Sequence, residues 1–321
     1  MPDRSAARSR WARPRRHGRM AAGTARGIAM LSELTPQQIQ TFRDNGFLIV
    51  ENFISPAVAA RVAARYDGLF RGEFETGLYP DEWNWKEGRD KPDLARQICN
   101  GWKADHSVAS LVLRPEVGKL CAQLAGWPGA RIAQDNVVWK PPGAKSLGFH
   151  QDDSYNGWID PPHMLTCWIA LDATSAEGGT IEYVRGSHKW PVSPPIEQFH
   201  APDDYRKELV EAAAKVGLTP DIVPVEVPAG GCAFHDGRTW HGSDKNRADR
   251  PRRSAIAHCM SSSAKFHPTK ISYIYNRYKR VGDTAMDESY FPILWRQDGY
   301  RTVFLDDYMR RGSAADAKAA E

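Results

Sequence analysis

Short apolar segments follow one another at close intervals from about residue 131, and turn residues separate them. Candidate strands lie at residues 136–140, 164–171, 180–184, 231–235 and 252–260. The segments between them include Pro141-Pro142-Gly143, Glu177-Gly178-Gly179 and Pro228-Ala229-Gly230, which are rich in turn formers. This spacing predicts a β-sandwich or barrel rather than alternating strand–helix units. The 11 Trp and 22 Pro residues also disfavour an all-α fold, because both residue types suit sheets and turns better than long helices.

A helix is predicted shortly before the strand region begins. Thr35 can cap its first turn, Pro36 loses no hydrogen bond at the first helical position, and Gln38 completes a capping box. The pair Asn45-Gly46 ends this helix, because glycine readily adopts the left-handed conformation found there. The apolar, β-branched residues 47–50 then predict a short strand.

Two further helices are expected. Ser55-Pro56 repeats the pattern of a cap followed by proline, and it predicts a second helix that runs towards Leu69. Residues 191–220 predict a polar loop and a helix inserted into the strand region.

The charge is distributed unevenly. Residues 1–28 hold eight of the 43 basic residues but only one of the 39 acidic residues, so the remainder of the chain is slightly acidic. This balance does not support a nucleic-acid partner, since the basic excess lies in a segment without apolar periodicity. We expect residues 1–30 to be a basic, disordered extension, residues 31–310 a single domain, and residues 311–321 a disordered tail. A mitochondrial transit peptide and a true start at Met30 are the alternative interpretations of the basic segment.

Composition also bears on location. No run of about 18 apolar residues occurs, so no membrane partner is expected. The chain has five cysteines, which form no Cys-x-x-Cys pair: Cys99, Cys121, Cys167, Cys232 and Cys259. This pattern argues for a reducing compartment and against a disulfide framework. We therefore expect a cytoplasmic protein, or a mitochondrial one if the basic segment is an import signal.

Three residues form a candidate metal site. His150 and Asp152 are two positions apart, and on a strand both side chains would lie on one face. Alone this pair is weak evidence, but His241 follows another candidate strand. Two histidines and one carboxylate form the facial triad that favours non-haem Fe(II) oxygen chemistry.

The combined motifs resemble a known family. His150-Gln151-Asp152, Gly186-Ser187-His188 and His241-Gly242-Ser243, with Arg252 eleven residues after His241, resemble the phytanoyl-CoA dioxygenase family of Fe(II)/2-oxoglutarate oxygenases. The resemblance covers about residues 33–265. It implies a mainly β fold with flanking helices around a double-stranded β-helix, which is a cupin-like jelly roll. It also implies that His150, Asp152 and His241 are catalytic and bind Fe(II).

The same resemblance implies a site for 2-oxoglutarate. Arg252, Ser243 and Trp168 match the family's residues for this co-substrate. A guanidinium with a nearby hydroxyl suits the distal carboxylate of a keto acid. A family lysine expected near residues 96–98 is absent, and Arg96 or Gln97 could replace it. Family members with Ala or Gly in place of Asp152 can hold a halide on iron, so the aspartate argues for hydroxylation.

The remaining polar residues around these motifs have structural interpretations. Strand alternation places Arg252 and His258 on one face and Arg253 on the other, where we expect a solvated charge. Lys140 is interpreted as a solvated charge and its neighbour Trp139 as packing. Asp153 is expected to point away from the metal. Four further histidines are expected to be structural or to support the ligands: His163, His188, His235 and His258.

The candidate substrate residues carry weaker signals. Tyr155, Asn156 and Trp158 directly follow the metal motif. Trp83 and Trp85 lie in a polar stretch that resembles a lid, and residues 275–280 could meet an anionic substrate, although a solvated face is favoured.

Together these observations predict an Fe(II)/2-oxoglutarate-dependent dioxygenase. It would hydroxylate a small organic molecule while 2-oxoglutarate and O2 are converted to succinate and CO2. One alternative is a cupin-like metal-dependent isomerase or hydrolase that uses the same ligands, which leaves Arg252 without a role. The other is a non-catalytic, small-molecule-binding jelly roll. The sequence does not indicate an oligomeric state.

Overall fold

The computed structural model describes residues 31–311. The predicted basic extension and all but the first residue of the predicted C-terminal tail therefore lie outside the described residues. Strands dominate the described part in this chain order: β1 Phe47–Val50, β2 Glu82–Trp83, β3 Arg96–Cys99, β4 Gly129–Lys140, β5 Leu147–His150, β6 Ile159–Asp160, β7 Leu165–Ala170, β8 Glu182–Val184, β9 Ile222–Pro224, β10 Cys232–Asp236, β11 His241–Ser243, β12 Arg252–Ser261, β13 Lys265–Phe266 and β14 Ile293–Arg296.

The helices lie mostly before β4. They are α1 Pro36–Asn45, α2 Pro56–Ala64, α3 Tyr66–Phe70, α4 His106–Val112, α5 Pro115–Ala125 and α6 Lys207–Lys215. Residues 305–311 are also helical. No helix within residues 31–311 is long and apolar enough to cross a membrane.

Two antiparallel sheets form the core of the fold. The larger has eight strands in the order β1-β10-β7-β12-β4-β3-β2, with β14 also paired to β4. The smaller has the order β5-β11-β8-β9. Sequence neighbours such as β10 and β11 lie in different sheets, as the crossing connections of a jelly roll require. This confirms the predicted mainly β, cupin-like fold with flanking helices.

The larger sheet separates an apolar layer from a polar cavity. Cys167, Phe234 and Ala257 on its outer face pack with the helices in the main hydrophobic core. The alternate residues Thr166 and His235 are buried on its inner face. This alternation follows from the two-residue period of a strand, which sends successive side chains to opposite faces.

Local signals explain where the first helices begin and end. The capping box between Thr35 and Gln38 is present, and Gly46 ends α1 with a φ of 82°. Ser55 caps α2 as expected. The predicted continuous helix towards Leu69 is wrong, because the chain divides at Arg65 into α2 and the short α3.

The remaining strand and helix predictions match closely. β7, β8, β10 and β12 lie within two residues of their predicted bounds, whereas β4 begins seven residues earlier than predicted, at Gly129. The helix predicted within residues 191–220 is α6, which packs through Leu209 and Ala213 against Phe149 of the smaller sheet. All five cysteines are buried and free.

Candidate active site

A cavity of about 550 Å³ lies between the two sheets. This volume is typical of small-molecule sites. The cavity is lined by all nine predicted site residues: His150, Asp152, Tyr155, Asn156, Trp158, Trp168, His241, Ser243 and Arg252.

The three predicted metal ligands converge at one wall of this cavity. His150 and His241 are directly paired across β5 and β11, and their ring centroids are 4.2 Å apart. The Nε2 atoms of both rings lie 3.6 Å from Oδ1 of Asp152. One ligand atom from each of the three residues lies within 4.8 Å of the others, which is the separation that one coordinated ion could bridge.

The prediction that His150 and Asp152 share one face of a strand is wrong. β5 ends at His150, and Asp152 begins a 3₁₀ turn that extends to Tyr155. The two side chains meet because the chain turns between them rather than because they share a strand face.

The other carboxylate oxygen of Asp152 is held by hydrogen-bond donors. Oδ2 accepts from the Thr166 hydroxyl at 2.8 Å and lies 3.0 Å from Nε2 of His235. The His258 Nδ1 lies 2.8 Å from the same hydroxyl. Burial would raise the pKa of Asp152, but the neighbouring histidines and their hydrogen bonds hold that pKa well below its usual value. These contacts leave Oδ1 as the oxygen directed at His150 and His241.

Backbone carbonyls orient both ligand histidines. Nδ1 of His150 lies 3.0 Å from the Gly148 carbonyl, and Nδ1 of His241 lies 2.9 Å from the Thr239 carbonyl. A carbonyl only accepts, so each Nδ1 carries the proton and each Nε2 keeps a free lone pair. Burial, with the nearby His150 and His235, lowers the pKa of His241 well below its usual value and keeps it neutral. Two imidazoles and one carboxylate therefore fit a non-haem Fe(II) ion.

The inner end of the cavity is lined by Trp168, Ser243 and Arg252, with Lys140 behind Ser243, and Arg252 gives it a positive charge. Arg252 and Lys140 are direct cross-strand partners on β12 and β4, and both are almost fully buried. Within residues 31–311 neither forms a salt bridge with a carboxylate. Like charges placed opposite each other in a sheet are destabilising, and buried unpaired charges are more so.

The charges of the inner end respond to this environment. Burial lowers the pKa of Arg252 to about 10. Burial, followed by the charge of Arg252, lowers the pKa of Lys140 well below its usual value. Lys140 donates a 3.0 Å hydrogen bond to the Ser243 hydroxyl and another to the Asp244 carbonyl. The Arg252 guanidinium lies 5.9 Å from the Trp168 ring. An anion bound here would supply the missing negative charge, so the inner end fits one carboxylate of a dicarboxylic keto acid.

Lys140 is the residue that the sequence interpretation missed. It was expected to be a solvated charge, yet its exposed fraction is 0%. The strand at residues 136–140 was predicted, but its face follows only from the register that sets Lys140 opposite Arg252. The expectation of a solvated Arg253 is also wrong, because this guanidinium pairs with both carboxylate oxygens of Asp172.

The two proposed substitutes for the family lysine lie in different places. Gln97 lines the cavity. Arg96 lies outside it, with its guanidinium 3.8 Å from the Trp85 ring and 4.3 Å from the Trp139 ring. Trp85 is buried in this stack, so the lid predicted around Trp83 and Trp85 does not close the cavity.

The predicted substrate residues lie beside the metal ligands. Tyr155 is 43% exposed, whereas Asn156 and Trp158 are buried. Asn156 donates a 3.1 Å hydrogen bond to Asp153, and the Trp158 ring centroid is 4.8 Å from that of Tyr275. Tyr275 therefore lines the cavity from a segment that was expected to be a solvated face.

A second set of cavity residues carries no motif, and only Gln97 among them was considered from the sequence. The outer wall of the cavity is formed by Glu82 of β2, Gln97 and Cys99 of β3, and Gln134 and Asn136 of β4. Their strands are adjacent in the larger sheet. No local signal marks these residues, because their common position depends on pairing between distant segments.

The remaining histidines behave as supports. His235 and His258 lie near Asp152 as described above, and His188 lies in a turn with Nε2 3.1 Å from the Arg43 carbonyl. His163 lies 3.0 Å from Asp153. Asp153 also accepts a hydrogen bond from the Met164 amide and, as expected, it does not belong to the metal triad.

Comparison with known proteins adds a family match. The family model described as phytanoyl-CoA dioxygenase matches residues 42–254. The ectoine dioxygenase of Nocardia farcinica (strain IFM 10152) is 26% identical over 234 residues, which cover 68% of this chain and 76% of that protein. The peroxisomal phytanoyl-CoA dioxygenase of Bos taurus is 23% identical over 320 residues, or 90% of this chain and 89% of that protein.

Solved structures show the same fold. The non-haem α-ketoglutarate-dependent carbocyclase SnoK from nogalamycin biosynthesis has a TM-score of 0.64 at 23% identity, covering 83% of this chain and 99% of its own. EctD from S. alaskensis, solved with 2-oxoglutarate and 5-hydroxyectoine, has a TM-score of 0.61 at 18% identity, covering 79% of this chain and 86% of its own.

Proposed function

The chain belongs to the phytanoyl-CoA dioxygenase family and is an Fe(II)/2-oxoglutarate-dependent dioxygenase, and we propose that His150, Asp152 and His241 bind its iron. The convergence of two Nε2 atoms and one carboxylate oxygen supports this assignment. The backbone carbonyls that fix both imidazoles, and the donors that occupy Oδ2 of Asp152, prepare these ligands before an ion binds.

We further propose that the inner end binds the distal carboxylate of 2-oxoglutarate. Arg252 supplies a planar pair of donors, and the Ser243 hydroxyl can add a third because Lys140 donates to its oxygen. Lys140 thus orients the Ser243 hydroxyl. The Trp168 ring forms one side of this end and limits the access of water.

When bound, iron and 2-oxoglutarate supply the oxidising chemistry with O2, in which 2-oxoglutarate gives succinate and CO2 and a C–H bond of the substrate is hydroxylated. The protein positions the reactants and excludes water. Asp152 supplies a carboxylate ligand, which supports hydroxylation. The isomerase, hydrolase and non-catalytic alternatives are not favoured, because they leave the buried Arg252–Lys140 pair without a role.

The observation that carries this proposal is that the His–Asp–His cluster and the buried Arg252 line one cavity, with Lys140 behind Ser243. We also propose that residues 31–310 act as a single domain in the cytoplasm without a nucleic-acid partner. The free, buried cysteines support a reducing compartment.

Replacement of a ligand tests the metal assignment. His241→Ala should lower succinate formation from 2-oxoglutarate by at least about 100-fold, since even loss of a group that only supports a ligand costs 10–100-fold. Anaerobic calorimetric titration should show weaker Fe(II) binding. His106→Gln, outside the cavity, is the matched histidine control and should retain both properties. Undiminished turnover by His241→Ala would refute the ligand assignment.

A further inference from the structure

Charge divides the cavity into two unlike parts. Positive side chains occur only at the inner end, where Arg252 lines the cavity and Lys140 lies behind Ser243. Beyond the metal ligands, the described lining includes two carboxylates, Glu82 and Glu197, and no lysine or arginine. The part of the cavity left for a substrate is therefore negatively charged.

Strand register places Glu82 at the far side of the cavity. Glu82 pairs with Cys99, Cys99 with Asn136, and Asn136 with Ile256, so these residues form one row across β2, β3, β4 and β12. Three strand spacings of about 4.8 Å separate Glu82 from β12. A molecule spanning this distance could contact Glu82 while another of its atoms lies near the metal ligands.

Glu82 is not neutralised by the protein. Within the described chain it forms no salt bridge, and its nearest hydrogen-bond partner is the weak thiol donor of Cys99 at 3.5 Å. Next to it, Gln97 also has only a weak contact, at 3.8 Å to the Cys99 sulfur. The carboxylate and the amide are thus available to a ligand.

Cations near the outer wall already have other partners. Lys103 pairs with Asp81 at 2.7 Å, and Arg280 pairs with Asp287 at 2.5 Å. Lys279 donates to two backbone carbonyls, those of His267 and Pro268. Arg277 donates to the Ile274 carbonyl at 2.8 Å, and Tyr275 is the one residue of segment 275–280 in the described cavity lining. The segment therefore places no positive side chain in that lining, which does not support its contact with an anionic substrate.

Apolar surface lines the space between the metal ligands and Glu82. The rings of Trp158 and Tyr275 pack together, and Phe199 lies against His150 with ring centroids 4.8 Å apart. Ile256 lies beside them in the same cavity. These surfaces favour a ligand with an aromatic or aliphatic body.

We propose that the organic substrate is an amine-bearing small molecule whose ammonium group binds Glu82 and whose apolar body lies against Trp158 and Tyr275. This inference rests on the proposed function, because it takes the inner end to be filled by 2-oxoglutarate. Substrates whose distal part is anionic, such as phosphates or coenzyme A thioesters, would meet an unpaired carboxylate with no compensating cation.

Three matched probes test the charge preference: 2-phenylethylamine, 2-phenylethanol and phenylacetate. Their binding to the full chain, loaded anaerobically with Fe(II) and 2-oxoglutarate, can be followed by calorimetry. A hydrogen bond to a charged group corresponds to roughly 10-fold or more in affinity. The amine should therefore bind about 10-fold more tightly than the alcohol, and phenylacetate should bind most weakly.

Glu82→Gln keeps the shape of the side chain and removes its charge. It should abolish the preference for the amine over the alcohol, with thermal unfolding used to verify that the variant is folded. Glu211→Gln, on the exposed surface of α6, makes the same change away from the cavity and should keep the preference. Equal binding of the probes, tighter binding of phenylacetate, no binding of the amine, or an unchanged preference in Glu82→Gln would overturn the inference.

A separate measurement distinguishes this failure from failure of the proposed function. Turnover of 2-oxoglutarate without any probe, and its dependence on His241, report only on the metal and the inner end. If that turnover is present and phenylacetate binds best, only the substrate inference fails. If the amine binds through Glu82 but His241→Ala leaves turnover intact, the metal assignment fails instead.

Discussion

The inner end and the outer wall of the cavity both use strands of the larger sheet but differ in how the chain encodes them. Ser243 and Arg252 of the inner end follow His241 within eleven residues. The outer wall draws on β2, β3 and β4, which span residues 82–140. The inner end is positively charged and almost closed, whereas the outer wall is polar and carries a carboxylate.

This difference agrees with the chemistry that we propose for each part. An ion and a dicarboxylic keto acid require fixed ligands and a fixed charge, and two short motifs supply them, one at the end of β5 and one that covers β11 and the start of β12. A substrate wall requires only a complementary surface, which residues of distant segments can form together. We expect changes at the inner end to affect 2-oxoglutarate and changes at the outer wall to affect the substrate.

Among changes at the two parts of the cavity, Arg252→Gln is expected to have the largest effect, which is on the KM for 2-oxoglutarate. Each hydrogen bond to a charged group contributes about 1.5–3 kcal/mol, so loss of two should raise the KM for 2-oxoglutarate by about 100-fold. Glutamine can still donate to the Gly179 carbonyl, which Arg252 contacts at 3.0 Å. Steady-state succinate assays at varied 2-oxoglutarate measure this change.

Arg253→Gln is the control for that experiment. Arg253 lies on the opposite face of β12 and pairs with Asp172 at 2.7 Å. The variant should lose stability without a change in the KM for 2-oxoglutarate. A similar KM increase in both variants would show that the effect of Arg252→Gln is a general loss of structure.

A smaller effect is expected from Lys140→Met, which keeps the length of the side chain but removes its charge. The KM for 2-oxoglutarate should rise about 10-fold, in line with loss of one interaction with a charged group. The melting temperature should stay the same or increase, because an unpaired buried charge is removed. A lower melting temperature with an unchanged KM would make Lys140 a structural residue only.

The smallest effect on the cavity itself is expected behind the outer wall, at Asp135. Asp135 and its neighbour Asn136 lie on opposite faces of β4. The Asp135 Oδ1 accepts a hydrogen bond from the Trp102 amide at 2.9 Å. Burial raises the pKa of Asp135 from 3.8 to about 7, despite backbone hydrogen bonds from Trp102 and Gly101. The folded protein therefore retains a proton that the unfolded chain has lost.

Retention of that proton gives the sign of the pH dependence. Stability should fall as pH rises from 3.8 towards 7, because the unfolded state then binds fewer protons than the folded state. The free energy of unfolding of the wild type should therefore fall between pH 5 and pH 7 by about 2 kcal/mol more than that of Asp135→Asn. Denaturant unfolding at several pH values measures the difference, and parallel curves for variant and wild type would contradict it. The KM for 2-oxoglutarate should not change.

Particular residues show how far the sequence predicts the molecule. The capping box at Thr35 and the glycine at Gly46 were readable because helix ends depend on local hydrogen bonds. The bounds of β7 and β12 were readable from apolar runs between turns. The break at Arg65 between α2 and α3 was not, since no proline or glycine marks it.

The site shows the same division. The family motifs indicated His150, Asp152, His241 and Arg252, and the structure brings all four into one cavity. The 3₁₀ turn at Asp152 replaced the expected strand without changing that outcome.

The sequence alone determined the class of fold and indicated the proposed metal ligands and the guanidinium of the inner end, because these depend on residue identity within short motifs. Only the tertiary structure decided that Lys140 is buried opposite Arg252 and that Glu82 lines the same cavity as Arg252. The reason is physical: strand pairing between distant segments fixes which face of a strand meets the cavity, and a shift of one residue would send each of these side chains to the other side.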